Sequence, residues 1–368
     1  MLIMPENTNI HIAFFLPSLN IGGVETVFIN YANVLEDRGY NIDIVVAKKE
    51  GALVNTLANK INLVHFNGIP LRKSGASLRK YIKTNKPDIL ITGPDVPNFL
   101  GVIYTKIIPS KTKLIISQHG YIDHDTKDLG VTGKLIPLLK RILYPLADKI
   151  LAVSNGIAND LKKMKLPQSK IVTLKNAIDL QVIHLKSQEK CDIKLPKEYI
   201  LFLGRLSNVK NIPLLIKSFD LINNEQIELV IVGSGAEEQE LKTLAATMKN
   251  KGRIQFLGGL TNPFPIIAHA KIVAIPSLSE AFPMVAIESI ALGKTIVYTP
   301  NKGCKEVLGE HNGYCANTFS DPHIFANSLN LALETPLEKE NLEKHVSQYR
   351  ITTTILQLEN IIHNILNK

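Results

Sequence analysis

Short apolar runs alternate with stretches of helical period along most of this chain. The first series of runs lies at 10–17, 41–47, 61–66, 87–92, 113–118, 149–154 and 170–174, and the second at 199–204, 227–233, 252–258, 271–277 and 295–299. Nearly continuous Val, Ile and Leu segments separated by helices are typical of parallel strands that are buried on both faces of a sheet. The alternation therefore predicts an α/β fold built on parallel sheets.

The alternation is interrupted once. Residues 176–198 are polar and carry no sustained period, which predicts an interdomain linker. A chain of 368 residues also exceeds what one hydrophobic core usually supports. We therefore expect two Rossmann-like, doubly wound domains, at 1–180 and 181–350, that face an interdomain cleft. A last helical stretch, 351–368, is expected to pack back on the N-terminal domain.

The net charge of +9 is concentrated in the first half of the chain. Residues 1–180 hold 23 Lys and Arg against 14 Asp and Glu, whereas residues 181–368 hold 19 of each kind. Nucleic acid, an anionic membrane surface or a phosphorylated substrate would each suit such a basic half. The chain has no Trp, and no strand carries the aromatic residues that stack on RNA bases, so nucleic acid is the least favoured partner.

Two stretches of the basic half, 71–83 and 133–149, combine basic with apolar residues. Helices of this composition lie on bilayer surfaces in some proteins. In others the apolar stripe faces the core and the basic face is solvated. We favour the core-facing interpretation for both stretches and keep the membrane surface as the alternative.

The sequence shows neither a membrane span nor a secretion signal. No apolar run approaches the length of a spanning helix, and the N-terminal stretch MLIMPENTN lacks a basic region followed by an apolar core. We therefore expect a cytoplasmic protein. The three cysteines, Cys191, Cys304 and Cys315, form no C-x-x-C pair, so we expect reduced thiols and no zinc site.

Two carboxylates, Glu280 and Glu288, stand in the otherwise apolar stretch EAFPMVAIESIALG (280–293). Burying an unpaired carboxylate is unfavourable, so each needs a partner inside the protein or a ligand. The loop SLSEAF follows a predicted strand, which places Glu280 at the carboxyl end of that strand. Glu288 lies in the following helix, and its side chain leans toward the helix N-terminus and the same crevice.

A second strand-to-helix loop, GRLSNVKN (204–211), carries Arg205 and Lys210. In open parallel sheets, ligands bind beyond the carboxyl ends of the strands, next to helix N-termini. Arg offers a fork of donors to phosphate and Lys a mobile charge, so this loop could hold a diphosphate. Two carboxylates, two cations and free helical amides together indicate a site for a polyhydroxylated anion.

The order and spacing of seven motifs resemble those of the retaining glycosyltransferases of family 4, which have the two-domain GT-B fold. The motifs extend over nearly the whole chain: GGVE (22–25), SQHG (117–120), VSNGIANDL (153–161), NAID (176–179), FLGRLSNVKN (202–211), VIVGSGAEEQEL (230–241) and PSLSEAFPMVAIESIALG (276–293).

This resemblance implies a role for each matching residue. Glu280 would contact the hydroxyls of the donor sugar, and Glu288 those of the nucleotide ribose. Arg205 and Lys210 would bind the diphosphate and stabilise the charge that develops as it leaves. His119 would face the donor sugar from the acceptor side. The remaining donor-binding positions implied by the motifs are Gly22, Gly23, Phe282, Pro283, Met284 and Val285.

The resemblance also implies the reaction. A hexosyl or N-acetylhexosaminyl group would move, with retention, from a nucleotide-diphosphate donor to a glycan or lipid-linked glycan acceptor. Uridine is the commonest base in the family. The pathway would be surface polysaccharide, lipopolysaccharide or glycoprotein-glycan assembly, at the inner face of an anionic membrane. Beyond the donor we expect neither a cofactor nor a metal, because Arg205 and Lys210 would neutralise the diphosphate.

Some positions depart from the family pattern. Ala281 and Ala177 stand where the family often has glycine, and the run KGCKE (302–306) replaces a doubled glycine, which makes Glu306 a less secure match. The alanine at position 281 restricts the backbone if that position needs a positive φ.

Other interpretations stay open. Asp123 and Asp125 form a D-x-D, which in another glycosyltransferase class holds a metal; here we expect an acceptor-side position. The run GSGAEE (233–238) is a partial dinucleotide fingerprint that has Glu238 in place of its third glycine. The alternatives are therefore an oxidoreductase, a sugar-nucleotide epimerase of the same architecture, or a non-catalytic sugar-nucleotide or membrane-binding protein.

Overall fold

The structure, a computed structural model, describes residues 10–48, 51–121, 130–191 and 193–367. The chain divides into two compact units, the first formed by residues 1–177 and 351–368 and the second by residues 178–350. Each unit is built on one sheet in which every strand pairing is parallel. This confirms the predicted fold class of two doubly wound α/β domains.

The first unit holds a seven-stranded sheet in the order β3-β2-β1-β4-β5-β6-β7. Its strands are β1 (His11–Leu16), β2 (Asn41–Val46), β3 (Asn62–His65), β4 (Ile89–Thr92), β5 (Lys113–Gln118), β6 (Lys149–Ala152) and β7 (Ile171–Thr173). Its helices are α1 (Gly23–Asp37), α2 (Gly75–Asn85), α3 (Asp95–Val102), α4 (Gly130–Leu143), α5 (Asn155–Lys163) and α14 (Ile351–Leu366), and a 3₁₀ turn, Tyr144–Leu146, follows α4.

The second unit holds a six-stranded sheet in the order β10-β9-β8-β11-β12-β13. Its strands are β8 (Tyr199–Leu203), β9 (Glu228–Val232), β10 (Ile254–Gly258), β11 (Ile272–Ile275), β12 (Thr295–Tyr298) and β13 (Tyr314–Cys315). Its helices are α6 (Leu180–Ser187), α7 (Ile212–Phe219), α8 (Glu238–Ala246), α9 (Phe264–His269), α10 (Met284–Ala291), α11 (Lys302–Leu308), α12 (Pro322–Glu334) and α13 (Lys339–Val346).

Part of the predicted linker is helical. Helix α6 begins after Asp179, whose carboxylate accepts hydrogen bonds from the amides of Gln181 and Val182. The helix is short, buries Ile183 and packs on α9. Packing against a distant segment stabilises a short helix that local propensity alone would leave marginal, so the sequence pattern missed it.

The last helix, α14, returns to the first unit. Arg38 at the end of α1 forms two hydrogen bonds to the carboxylate of Glu359, at 2.7 and 2.9 Å. The apolar side of α14, with Leu358 and Ile362, is buried. A paired guanidinium and carboxylate together with this apolar contact hold α14 next to α1.

The two basic, apolar stretches differ in the structure. In α2, Leu78, Tyr81 and Ile82 are buried and the lysines are exposed, so the core-facing interpretation is correct there. In α4 the apolar stripe faces outward, so that interpretation is wrong for the second stretch. In the part of the chain that the structure describes, no helix combines the length and the apolar character needed to span a bilayer.

Candidate active site

The strand order of the second sheet reverses between β8 and β11. These strands are neighbours in the sheet, although β9 and β10 lie between them along the chain. A crevice beyond the carboxyl ends of the strands at such a switch point is where doubly wound sheets bind ligands. The two loops that leave this point are 204–211 and 276–283, the two that sequence analysis singled out.

Backbone and amide hydrogen bonds join the two loops. The amide of Leu278 donates to the carbonyl of Val209 at 2.8 Å, and the side-chain amide of Asn211 donates to the carbonyl of Pro276 at 3.2 Å. Asn211 has a left-handed backbone (φ 49°), a conformation that Asn adopts more readily than most residues. Sequence analysis missed Asn211, whose signal is its position between a short turn and the Pro at the start of α7.

Lys210 and Glu280 form an ion pair across the loops. The Lys210 Nζ lies 2.6 Å from Glu280 Oε1, and the Ser277 hydroxyl donates to the same oxygen at 2.6 Å. Both charged side chains are mostly buried. The structure therefore brings together two predicted site residues that are 70 positions apart and adds Ser277, which sequence analysis did not single out.

The start of α11 packs directly against the Glu280 loop. A Cβ atom at Gly303 would lie 2.1 Å from the Glu280 carbonyl oxygen, so only glycine allows this approach. Asn301 caps α11 by accepting from the amide of Cys304 at 2.8 Å, and its own amide reaches the carbonyl of Ser277 at 3.4 Å. The run KGCKE thus places its one glycine where the contact needs it.

Arg205 is exposed and makes no hydrogen bond or ion pair with the described residues. Its loop is held by the G-S-G run: a Cβ at Gly233 would lie 1.8 Å from the carbonyl oxygen of Gly204, and one at Gly235 would lie 2.1 Å from that of Leu206. These glycines therefore serve the packing of the Arg205 loop. The partial dinucleotide fingerprint is explained without a dinucleotide.

Glu288 lies in α10, half-buried, and has no hydrogen bond or ion pair with any described residue. Burial raises the pKa of its carboxyl from the ordinary 4.5 to about 7. Glu280 has its partner in Lys210 and Ser277, whereas the described residues offer Glu288 none. Of the two carboxylates, Glu288 is therefore the candidate for contact with a ligand.

The predicted donor-binding residues 282–285 form the entry to α10. Pro283 occupies the N-cap position and no side chain caps the helix, while the Phe282 ring is buried edge-on against Tyr349 with its centroid 5.6 Å away. Met284 and Val285 are half-buried in the first turn. Ala281 does not adopt a positive φ, so the alanine there places no strain on this loop.

In the first unit, Gly22 and Gly23 lie at the N-terminus of α1, which follows β1 and has no side-chain cap. The Glu25 carboxylate folds back over Gly22, because a Cβ at Gly22 would lie only 2.3 Å from Glu25 Oε2. The absence of a Cβ at Gly22 therefore makes room for the Glu25 carboxylate at the N-terminus of the helix. Asp123 and Asp125 lie outside the described residues.

His119 follows β5 and packs its ring edge-on against Phe28, with the centroids 5.5 Å apart. Its Nε2 atom is shielded from water and has no hydrogen-bond partner among the described residues. Burial lowers its pKa to about 3, so the imidazole is neutral at pH 7. It borders a cavity of about 10 Å³, room for one water, lined also by Tyr31, Ser117 and Asn176.

Two doubly wound parallel sheets of this kind are the GT-B architecture of glycosyltransferases. The family model "Glycosyltransferase Family 4" matches residues 21–182, and "Glycosyl transferases group 1" matches residues 185–350. The chain belongs to this family of glycosyltransferases. The resemblance that the motifs carry is confirmed.

Similar proteins include two transferases of Campylobacter jejuni. One, N-acetylgalactosamine-N,N'-diacetylbacillosaminyl-diphospho-undecaprenol 4-alpha-N-acetylgalactosaminyltransferase, is 32% identical over 67% of this chain and 66% of its own length. Another, GalNAc-alpha-(1->4)-GalNAc-alpha-(1->3)-diNAcBac-PP-undecaprenol alpha-1,4-N-acetyl-D-galactosaminyltransferase, is 26% identical over 92% of both chains. The crystal structure of Anabaena Alr3699/HepE with UDP and glucose superposes with a TM-score of 0.80 at 20% identity, covering 96% of this chain and 100% of that one.

Proposed function

We propose that this glycosyltransferase moves a sugar, with retention and without a metal, from a UDP-sugar to a lipid-linked glycan. The product would be part of a bacterial surface polysaccharide, lipopolysaccharide or glycoprotein glycan. The protein would work in the cytoplasm, at the inner membrane surface where such an acceptor is held.

The observation that carries this proposal is the Glu288 carboxylate. It is half-buried, its pKa is raised to about 7, and the described residues offer it no partner. The hydroxyls of a ribose donate hydrogen bonds, and they would compensate an ionised carboxylate for its lost hydration. Each charge-assisted hydrogen bond of this kind contributes about 1.5–3 kcal/mol net.

The other charged residues suit a diphosphate. Arg205 is exposed and uncommitted among the described residues, and Lys210 uses one of its three donors on Glu280. Both could then meet phosphate oxygens, with the uncapped N-terminus of α10 close by in the chain. Glu280, held by Lys210 and Ser277, would accept hydrogen bonds from the hydroxyls of the transferred sugar.

In the proposed reaction the bond between the anomeric carbon and the phosphate oxygen breaks, and a bond from that carbon to the acceptor oxygen forms on the same face. The acceptor proton passes to the leaving phosphate. Arg205 and Lys210 stabilise the negative charge that develops on the diphosphate, so their part is electrostatic. His119, neutral and shielded from water, would bound the sugar-binding space rather than take the proton.

The relatives support the choice of substrates. The names of both Campylobacter jejuni transferases give N-acetylgalactosamine as the transferred group, diphospho-undecaprenol as the carrier and an α-linked product. An α-linked UDP-sugar that gives an α-glycoside has reacted with retention. The Anabaena structure holds UDP. These likenesses favour an N-acetylhexosamine donor carried by UDP.

The proposal is tested by product analysis and by binding. Purified protein is incubated with UDP-N-acetylhexosamines and a diphospho-lipid acceptor, with and without EDTA, and the anomeric configuration of the product is read by NMR. We expect an α-linked product, formed equally well with and without EDTA. Calorimetry with UDP should show weaker binding for Glu288→Ala, whereas Arg205→Ala should lower mainly kcat.

Two outcomes would replace the proposal. A changed sugar on the donor when no acceptor is present would assign the chain to sugar-nucleotide epimerisation. Tight UDP binding with neither transfer nor hydrolysis would assign it to a non-catalytic binding role. Unchanged UDP affinity in Glu288→Ala would remove the ribose assignment, whichever reaction is found.

A further inference from the structure

Helix α4 and the turn that follows it present a row of large apolar side chains to solvent. Five side chains between positions 135 and 146 are each 41–57% exposed: Leu135, Leu138, Leu139, Ile142 and Leu146. Sixteen large apolar side chains are exposed in the whole described part of the chain, so nearly a third fall within these twelve positions. Spacings of three and four residues put them on one face, here called the α4 stripe.

The inner face of α4 carries a charge instead. Lys140 is fully buried, and its Nζ lies 2.8 Å from Asp95 Oδ2 at the start of α3. The buried hydroxyl of Tyr144 lies 2.9 Å from Gln118 Oε1 and 3.1 Å from Asn98 Nδ2. Turning the helix to bury its leucines would break the buried ion pair, which is strongly unfavourable. The outward orientation of the α4 stripe is therefore fixed by its own packing.

Single exposed leucines are ordinary, but a contiguous apolar row marks an interaction surface. The charge of the segment indicates which one. Residues 130–147 contain no acidic residue, Lys140 is paired with Asp95 on the inner face, and Arg141 is exposed beside the stripe. The basic excess of the first half of the chain has the same sign. An apolar row flanked by positive charge suits an anionic lipid surface.

A second copy of the chain suits this surface less well. A twofold contact through the α4 stripe would bring Arg141 of one copy toward Arg141 of the other, which like-charge repulsion disfavours. Anionic headgroups would instead pair with that guanidinium while the acyl region takes up the leucines.

We propose that the α4 stripe docks this protein on an anionic phospholipid bilayer, with Leu138 and Ile142 entering the acyl boundary and Arg141 at the headgroups. The inference rests on the proposed function only in that a lipid-linked acceptor gives a reason for such docking. It assigns a surface in the first unit, apart from the donor site in the second.

Vesicle sedimentation of the full chain tests this. Vesicles of pure phosphatidylcholine are compared with vesicles that also contain phosphatidylglycerol, at low and high salt. We expect the wild-type chain to bind the anionic vesicles, and Leu138→Ser with Ile142→Ser to lower the bound-to-free ratio at least about tenfold. The matched control is Leu185→Ser with Leu331→Ser, two exposed leucines of the second unit, which should bind like wild type.

Arg141→Glu should lower binding to the anionic vesicles and leave the weak binding to phosphatidylcholine unchanged. Wild-type chain that binds neither vesicle, or a stripe variant that binds like wild type, would overturn the inference. Sedimentation velocity covers the remaining case, since a dimer abolished by the stripe variant without vesicle binding would assign the stripe to self-association.

The donor site provides the check on folding. Because all the substituted stripe residues are exposed, the stripe variant should keep the thermal shift that UDP produces without vesicles. If no variant and no wild-type chain transfers sugar, yet vesicle binding depends on the stripe, the docking surface stands and the proposed function fails. If the wild-type chain transfers sugar but does not bind vesicles, the proposed function stands and the docking surface fails.

Discussion

Replacing Glu288 by Gln keeps the size of the side chain but removes the half-buried carboxylate of α10, for which the described part of the chain offers no partner. In the folded protein the pKa of this carboxyl is raised by burial to about 7, compared with the ordinary 4.5. The folded state therefore binds more protons than the unfolded state between these two pH values. The free energy of unfolding falls as pH rises from 4.5 to 7 and is constant above 7 as far as this group is concerned.

The magnitude follows from the same difference. Each tenfold change in a proton equilibrium is 1.36 kcal/mol, so the ionised Glu288 lowers the free energy of unfolding by about 3 to 3.5 kcal/mol above pH 7. Glu288→Gln should recover this amount at pH 8 and nothing near pH 4.5. For a unit of this size the midpoint temperature should rise by roughly 5 °C or more at pH 8.

The same change should weaken nucleotide binding. If ribose hydroxyls donate to the ionised carboxylate, UDP binds the ionised form, and the dissociation constant of the wild type should rise about tenfold between pH 8 and pH 6. The variant should bind UDP more weakly at pH 8 and should show no such dependence. Urea unfolding and calorimetry at both pH values measure the two effects on one preparation.

Glu225→Gln, at an exposed loop position of the same unit, is the control and should change neither quantity. A variant of Glu288 that is no more stable than wild type at pH 8 would show that the carboxylate is not isolated. Wild-type UDP affinity that is flat from pH 6 to pH 8 would refute the ribose assignment.

Two further predictions concern packing and a buried pair. Gly303→Ala should displace the backbone at Glu280, lower the free energy of unfolding in urea by about 1–3 kcal/mol and reduce kcat. The control is Gly252→Ala, where a Cβ meets open space, and it should be neutral or slightly stabilising. Equal losses of stability in both variants would contradict the close contact at Gly303. Asp43→Asn removes the ion-pair partner of His11, whose Nε2 lies 3.0 Å from Asp43 Oδ2. In this pair the pKa of His11 is raised, chiefly by its hydrogen bond to Asp43, and the pKa of Asp43 is lowered. The contribution of His11 to the free energy of unfolding is present below pH 6.5 and is lost as pH rises, and the contribution of Asp43 is present above pH 3.8. The free energy of unfolding of the variant should therefore be lower than that of wild type by about 3 kcal/mol near pH 5 and by less at pH 9. A pH series of unfolding curves would check this.

The two loops of the candidate site could be predicted because their position follows from the chain order of strands. Strand β8 and strand β11 each end in a polar loop, and in a parallel sheet both loops leave the same edge. Ser277 and Asn211 were missed because a single hydroxyl or amide in a loop has no periodic signal. Their roles appear only when the 204–211 and 276–283 loops lie side by side.

The sequence by itself determined what depends on near neighbours. Periods of apolar residues specify which segments become buried strands and which become helices, and the ordered motifs specify the family. Only the tertiary structure decided how distant charges are matched: Lys210 neutralises Glu280, Glu288 has no partner among the described residues, and Lys140 turns α4 so that its leucines face solvent. Local period is set by a few adjacent residues, whereas the energy of a buried charge depends on which remote group the fold brings within about 3 Å of it.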